Sequence, residues 1–404
     1  MSEETASRST DRAQPLADVT TSLPMFFTDA HRSLDREVAP HAAKLSLFDH
    51  DASAAVASLR ESGVFSLLVP SDLGGRVLDE ARTSAIDVRS LCIVREHLGY
   101  HAPMADSIFA VQGLGSHALV LDQSGADHRS RLSEIAHGTR IGAFGLTEPE
   151  AGSDVGSMRA TARKDGDAWL VTGEKVFISN TGIADHYIVF ANADASLGKK
   201  GISAFLVEKD AAGLALSQVP ISVPHPLGRV VMKDCRARMM IGEIGHGMRL
   251  ALGTLDVFRT SVGAAACGMA RRALDEALAR VTVRVQFGAP LAEKDLVRAK
   301  LADMATELSA ARLLVYRAAW QKDHGERASI EVAMAKMYAT EAAQTIIDSA
   351  VQLHGGLGVT SGSVVEQLYR EIRPLRIYEG TTEIQKLIIG SALTAPPSGG
   401  ARGK

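Results

Sequence analysis

Residues 158–192 read MRATARKDGDAWLVTGEKVFISNTGIADHYIVFAN, and they separate this chain from an all-helical one. MRATAR and AWLVTGEKVFIS alternate apolar with polar residues, HYIVFAN is a short apolar run, and KDGD and SNTG between them are turn signals. The texture continues through ISAFLVE (202–208) and RVVMKDC (229–235), with KDAAG (209–213) as a further turn. Upstream, SLRESGVFSLLVP (58–70) and ARTSAIDVRSLCIVREHLGY (81–100) place apolar residues three and four apart. Downstream, SVGAAACGMARRALDEALARV (261–281), ADMATELSAARLLVYRAAWQK (302–322) and IEVAMAKMYATEAAQTIIDSAVQL (330–353) do so over long segments. The expected fold is therefore α+β and multidomain. An N-terminal all-α domain spans 23–138, a middle β-barrel or sandwich domain 139–242, and a C-terminal four-helix-bundle domain 243–395. Strands do not alternate with helices, which argues against a doubly wound parallel sheet. Residues 1–22, polar and without the apolar stretch of a signal peptide, are expected to be a disordered tail, and residues 396–404 a flexible one.

Composition excludes several classes. Lys and Arg total 44 against 47 Asp and Glu, a net charge of −3, so no basic footprint invites nucleic acid. No eighteen uncharged apolar residues run together, and no membrane association is expected. Cys92, Cys235 and Cys267 are far apart and odd in number, which suggests neither a disulfide framework nor a zinc site and fits a reducing, cytoplasmic setting. The 13 histidines form no HExxH pair and there is no GxSxG elbow, so neither metal chemistry nor a serine hydrolase is indicated. Tyr316 and Trp320, four apart on a helix, read as core.

Residues 368–390, LYREIRPLRIYEGTTEIQKLIIG, carry the strongest chemical signal. Pro374 should end one helix, and Thr382 with Gln385 has the spacing of a capping box that starts the next. Glu379 then lies in the connector beside Ile377 and Tyr378, which can keep water from its carboxylate, raise its pKa and make it a strong base. The N–H groups around Gly380 and Thr381 could polarise a carbonyl. On these residues alone, an acid beside three arginines reads first as a simple ion pair of Glu379 with Arg373 or Arg376 at a helix start. HGGLGVTSG (354–362) permits close approach of backbone to a ligand or stops a helix. TEPEAGSD (147–154) offers donors from Thr147, Gly152 and Ser153 or forms a turn.

Taken in order, LTEPEAGSD, GEKVFISN, RVQFG (284–288), QLHGGLG (352–358) and IYEGTTEIQ (377–385) resemble the acyl-CoA dehydrogenase family, over about Leu23 to Ala395. That resemblance implies an FAD enzyme that removes two hydrogens across the α and β carbons of an acyl-CoA thioester. A glutamate takes the α-proton, and hydride passes to flavin N5. It maps the base onto Glu379, whose own N–H joins a flavin hydroxyl in polarising the thioester carbonyl. Where some members carry their base on the first helix of the last domain, the matching position in TLDVFRTSVG (254–263) is Phe258. Cofactor contacts are implied for Phe144, Leu146, Thr147, Ser153, Phe177 and Ser179, with Phe177 and Ser179 standing where many members have Trp and Thr. Arg284, Gln286, Phe287, Gln352 and Gly356 map to residues that reach a neighbouring subunit's FAD, and Thr381 and Glu383 to further cofactor contacts. Ser153, Arg259, Tyr378 and Gly380 map beside the substrate, and the helix carrying Asp106 to Ala110 contributes Ser107 and Phe109 to the acyl pocket. Arg259 also reads as a surface partner of Asp256 or Glu243. A homotetramer and an electron-transferring flavoprotein as acceptor are implied. The alternatives are a flavin oxidase or monooxygenase on the same fold, and a non-catalytic helical interaction protein.

Overall fold

A computed structural model of the chain describes residues 17–78, 82–122 and 126–395. Six helices come first: α1 (Val19–Ser22), α2 (Asp29–Ala42), α3 (Ala52–Glu61), α4 (Val88–His101), α5 (Pro103–Leu121) and α6 (Ala126–Ala136). Asp51 caps α3 by accepting from Ser53 N and Ala54 N, and Asp87 caps α4 by accepting from Ser90 N. α5 is long and apolar enough to cross a membrane by length and composition, yet 89% of its most apolar window is buried inside the chain, as a core helix would be.

Eight strands follow: β1 (Gly142–Gly145), β2 (Thr161–Asp165), β3 (Ala168–Ser179), β4 (His186–Asn192), β5 (Ile202–Glu208), β6 (Leu214–Gln218), β7 (Leu227–Ala237) and β8 (Met239–Ile241). They hydrogen-bond into one mixed sheet in the order β6-β7-β3-β2-β4-β5-β8, with β1 added parallel to β4. The apolar runs of β4 and β5 are buried on both faces. Ile188, Phe190, Ala204 and Leu206 face the first helices, while Tyr187, Val189, Phe205 and Val207 fill the core on the other side.

The 37-residue helix α7 (Gly247–Val283) then leads through a hairpin, β9 (Val285–Gln286) and β10 (Ala289–Pro290), into α8 (Asp295–Asp323), α9 (Ser329–His354), α10 (Val364–Leu375) and α11 (Thr382–Thr394). The cores do not respect these segments. The first half of α7, including Leu250 and Phe258, packs with α3, α5 and the sheet, and its second half packs with α4, α8, α9 and α10. α4 crosses α7 closely because glycines meet main chain there. A Cβ on Gly99 would lie 2.3 Å from the Ala265 carbonyl oxygen, and one on Gly268 would lie 2.0 Å from that of Glu96.

Two expectations are corrected. The N-terminal tail is not disordered up to residue 22, because α1 is tied down: Val19 and Thr20 are buried, the Thr20 hydroxyl donates to Asp35, and Arg312 donates to the Ala17 carbonyl. The cap of α11 is Thr381, which accepts from Ile384 N, and not Thr382 with Gln385; Gln385 faces the connector instead. Tyr316 is core as expected, with its hydroxyl on Glu96, while Trp320 is half-buried and stacks on His324. Residues 1–16 and the tail at 396–404 lie outside the described residues.

Gly268→Ala should force α4 and α7 apart. The expected loss is ~1–3 kcal/mol, the usual range for overpacking, read as a lower urea midpoint with unchanged slope.

Candidate active site

Glu379 sits in the turn between α10 and α11 with φ 53°, a left-handed backbone that costs a non-glycine residue of order 1–3 kcal/mol. The surroundings over-determine it. Arg259 Nε, from α7, donates to the Glu379 carbonyl at 2.9 Å, and Lys336 Nζ, from α9, donates to the Gly380 carbonyl at 2.8 Å. The Gln385 amide also donates to the Gly380 carbonyl, at 3.0 Å. Glu341, again from α9, grips both ends of the turn: it pairs with Arg376 at 2.7 Å and accepts from the Thr382 hydroxyl at 2.6 Å. Gly380, with φ 97°, holds a left-handed backbone that favours glycine.

These bonds all go to main chain or to the flanks of the turn. The Glu379 carboxylate itself keeps Oε2 shielded from solvent with no hydrogen-bond partner. Desolvation raises its pKa above the ordinary carboxylate range, against the opposing pull of Arg95, Lys336 and Arg259. The ion pair with Arg373 or Arg376 is thus not formed, because Arg376 is taken by Glu341. Nor does Arg259 pair with Asp256 or Glu243: Asp256 pairs with Lys322, and Arg259 turns inward to the Glu379 carbonyl.

Beneath the turn, Arg95 on α4 forks onto Asp106 on α5 (2.8 and 2.9 Å) and reaches Ser261 on α7 at 3.1 Å, all buried. Phe258, the alternative base position, is fully buried with its ring against His117. Its ring fills the space where Gly113 lacks a Cβ, so no acid can act from there. Of the two acyl-pocket residues expected on α5, Ser107 keeps partial exposure. Phe109 is corrected: it is fully buried and stacked on Phe65, with no surface left for a substrate.

The β-domain residues form a second group. Val176 N donates to the Thr147 carbonyl at 2.9 Å, which lays the loop after β1 alongside β3. That loop is anchored by a buried pair, Lys175 Nζ to Glu148 at 2.7 Å, with Glu148 also accepting from Arg159 N and Ala160 N. Phe144 packs on Phe190 and Leu146 is buried, while Thr147 and Ser179 are half-buried and Ser153 is exposed. Phe177 stands out from a break in the β3–β7 register with φ 56° and 62% exposure. A strained, exposed aromatic beside half-buried hydroxyls suits a flat aromatic ligand with polar edges, so these residues fit a flavin.

The third group is not joined to the first by any hydrogen bond or ion pair among the described residues. Arg284, Gln286 and Phe287 lie on the β9–β10 hairpin, where Phe287 has φ 52° and is 97% exposed. Gln352 lies in the last turn of α9 and Gly356 just beyond it, both exposed, and nothing lies within 4 Å of a Cβ built on Gly356. Thr381 and Glu383 belong instead with the first group: Thr381 lies in the Glu379 turn and caps α11, and Glu383 is exposed in the first turn of that helix. Reading the sequence missed Arg95, Lys336, Glu341 and the Glu148–Lys175 pair. The signal for Lys336 was present: it falls in phase with Ala333, Thr340 and Ala343 on the buried stripe of α9.

The described residues thus hold a carboxylate with one shielded, unpartnered oxygen in a turn between two helices, and an exposed aromatic with half-buried hydroxyls on the sheet. Residues 143–235 match the family described as acyl-CoA dehydrogenase, middle domain, and residues 245–394 that described as acyl-CoA dehydrogenase, C-terminal domain. The chain is 34% identical over 386 residues to the 3-(aryl)acrylate reductase of Clostridium sporogenes (strain ATCC 15579), covering 91% of this chain and 100% of that one. It is 36% identical over 365 residues to a probable acyl-CoA dehydrogenase of Mycobacterium tuberculosis (strain ATCC 25618 / H37Rv), covering 89% and 92%. The solved butyryl-CoA dehydrogenase from Megasphaera elsdenii superposes with a TM-score of 0.85 at 31% identity, over 91% of this chain and 99% of that one. The chain belongs to the acyl-CoA dehydrogenase family.

Glu148→Ala should strand a buried ammonium at Lys175. The expected cost is ~3–5 kcal/mol, seen as a large drop in the thermal midpoint, whereas Glu148→Gln, which retains an acceptor, should lose less.

Proposed function

We propose that this protein is an FAD-dependent acyl-CoA dehydrogenase in which Glu379 takes the α-proton of an acyl-CoA thioester to give the 2-enoyl-CoA. The observation that carries the reading is the Glu379 carboxylate, with Oε2 shielded from water and bonded to nothing. A thioester α-proton is weakly acidic, so the base must meet it without a hydration shell and the developing negative charge must be stabilised as it forms. The Glu379 N–H serves as a donor to the thioester oxygen. Tyr378, packed against the core of the last helices, flanks the base and screens it from water, whereas Ile377, expected to do the same, is 52% exposed. FAD, when bound, supplies the acceptor for the β-hydride. Phe177, Thr147, Ser153 and Ser179 would hold it on the β side, and Thr381 and Glu383 on the helical side.

An electron-transferring flavoprotein is proposed as the acceptor of its electrons. A homotetramer is proposed as the working assembly, in which Arg284, Gln286, Phe287, Gln352 and Gly356 complete a neighbour's cofactor site. In support, Val283, Phe287 and Leu296 are 74%, 97% and 87% exposed, apolar surface that a second copy would cover. A cytoplasmic setting is part of the same proposal and is compatible with three buried free thiols.

Glu379→Gln should keep FAD and the N–H of residue 379 while losing the base. Flavin bleaching by a good acyl-CoA substrate in anaerobic stopped flow should slow by ~100-fold to ~10,000-fold, the usual worth of positioned proton transfer. A rate within a few-fold of the unaltered protein would place the base elsewhere. The linkage sign gives a second readout. A carboxylate whose folded pKa is raised lowers stability as pH climbs from its unfolded value through its folded one, so at neutral pH Glu379→Gln should be no less stable than the parent. The acid limb of the reduction rate should also lie above the ordinary carboxylate range.

A further inference from the structure

Two lysines among the described residues have no exposed surface, and they are held differently. Lys175 has its carboxylate partner, Glu148, at 2.7 Å. Lys336 has no carboxylate within 4.0 Å among the described residues, and its recorded bond is to a neutral carbonyl, that of Gly380 at 2.8 Å. Burying an ammonium without a paired anion is costly, and such groups persist where their charge is used. The residue adjoining Gly380 is Glu379, whose carboxylate oxygen Oε2 is itself shielded from solvent and unpartnered. Arg259 is placed in the same way, on the Glu379 carbonyl. Two cations from two helices thus hold consecutive carbonyls of one turn, and neither takes the carboxylate.

Resting on the reading of Glu379 as the base, we propose that Lys336 is a positioning residue for it. The ammonium fixes the turn through the Gly380 carbonyl and supplies the positive charge that keeps the desolvated carboxylate ionised, without occupying the oxygen that must receive the proton. A direct ion pair would stabilise the carboxylate more but would block it. Charge delivered through the neighbouring main chain gives ionisation and access together.

The surrounding charges are consistent with this. Glu379 is faced by Arg95 from α4, Asp106 from α5, Arg259 from α7 and Lys336 from α9. Arg95 is matched by its fork onto Asp106, which leaves Arg259 and Lys336 as the cations not closed off by a carboxylate. Lys336 is faced by Glu379, Arg259, Glu341 on its own helix and Glu383 on α11. Burial brings the Lys336 pKa down to about 8, so it is charged at neutral pH and loses its charge in the mildly alkaline range. The carboxylate loses part of its support there.

The test is Lys336→Met in the FAD-loaded protein, which removes charge and donor at similar volume. Infrared difference spectra across a pH series follow the carboxylic-acid C=O band of Glu379, assigned by its absence in Glu379→Gln. The midpoint should rise by ~1 unit, the lower end of what a nearby opposite charge contributes. The acid limb of flavin reduction should rise with it. Lys336→Gln, a neutral amide, should give the same upward shift, and it keeps the test open if the Met variant does not fold. An unchanged Glu379 midpoint, with reduction slowed by one factor at every pH, would overturn the proposal and leave Lys336 as packing. Should no acyl-CoA reduce the unaltered protein, the dehydrogenase reading falls, while the infrared midpoint still decides whether Lys336 sets the ionisation of Glu379.

Discussion

One turn, residues 376–382, is held by its main chain and its flanks, and the chemistry depends on that division. A carboxylate that bonded Arg259 or Lys336 directly would be stable and inert. Instead the two cations take the carbonyls of residues 379 and 380, Glu341 takes Arg376 and Thr382, and Oε2 of Glu379 is left shielded from solvent and unpartnered. The left-handed backbone at Glu379 is what points carbonyl and carboxylate to different tasks, and the bonds around it sustain that strain.

The fold supplies those bonds from far-apart segments. Arg259 comes from α7, Lys336 and Glu341 from α9, and Arg95 from α4, so the turn is correct only if three helices are in register. The α4–α7 crossing fixes one register through Gly99 and Gly268, where main chain meets main chain. Glu96 fixes another by accepting from Arg312 and Tyr316 on α8. These buried polar groups lie where the first and last helical segments merge their cores, so the Glu379 turn is positioned by both segments together and not by one alone.

Much of this was legible in the sequence. Period and turn signals gave the helical, stranded and helical segments, because each segment buries one side and its apolar spacing records that. Glu379 was legible as an acid flanked by apolar residues in a connector. What could not be read was its partner set. Arg373, Arg376, Asp256 and Glu243 are near in sequence to Glu379 or Arg259, and the chain passes over all of them for Lys336 and for the carbonyls of the turn, at separations of 44 and 120 residues. Sequence distance favours local ion pairs; tertiary packing replaces them. Phe109 was misplaced for a related reason: helical phase tells which residues are buried, not whether they face core or ligand. Phe177, Phe287 and Glu379 share a positive φ with Asn180 and Asp234, a feature that composition does not announce.

The most direct measurement of the central claim isolates proton abstraction from oxidation. An acyl-CoA analogue blocked at its β carbon, incubated with the FAD-loaded protein in D2O, can lose its α-proton but cannot pass on a hydride. A poised, desolvated Glu379 predicts that proton NMR will show the α-proton washing out into solvent far faster than in buffer, and that Glu379→Gln will abolish the exchange. An α-proton that exchanges no faster with the protein than without it, while the analogue is bound, would contradict the account.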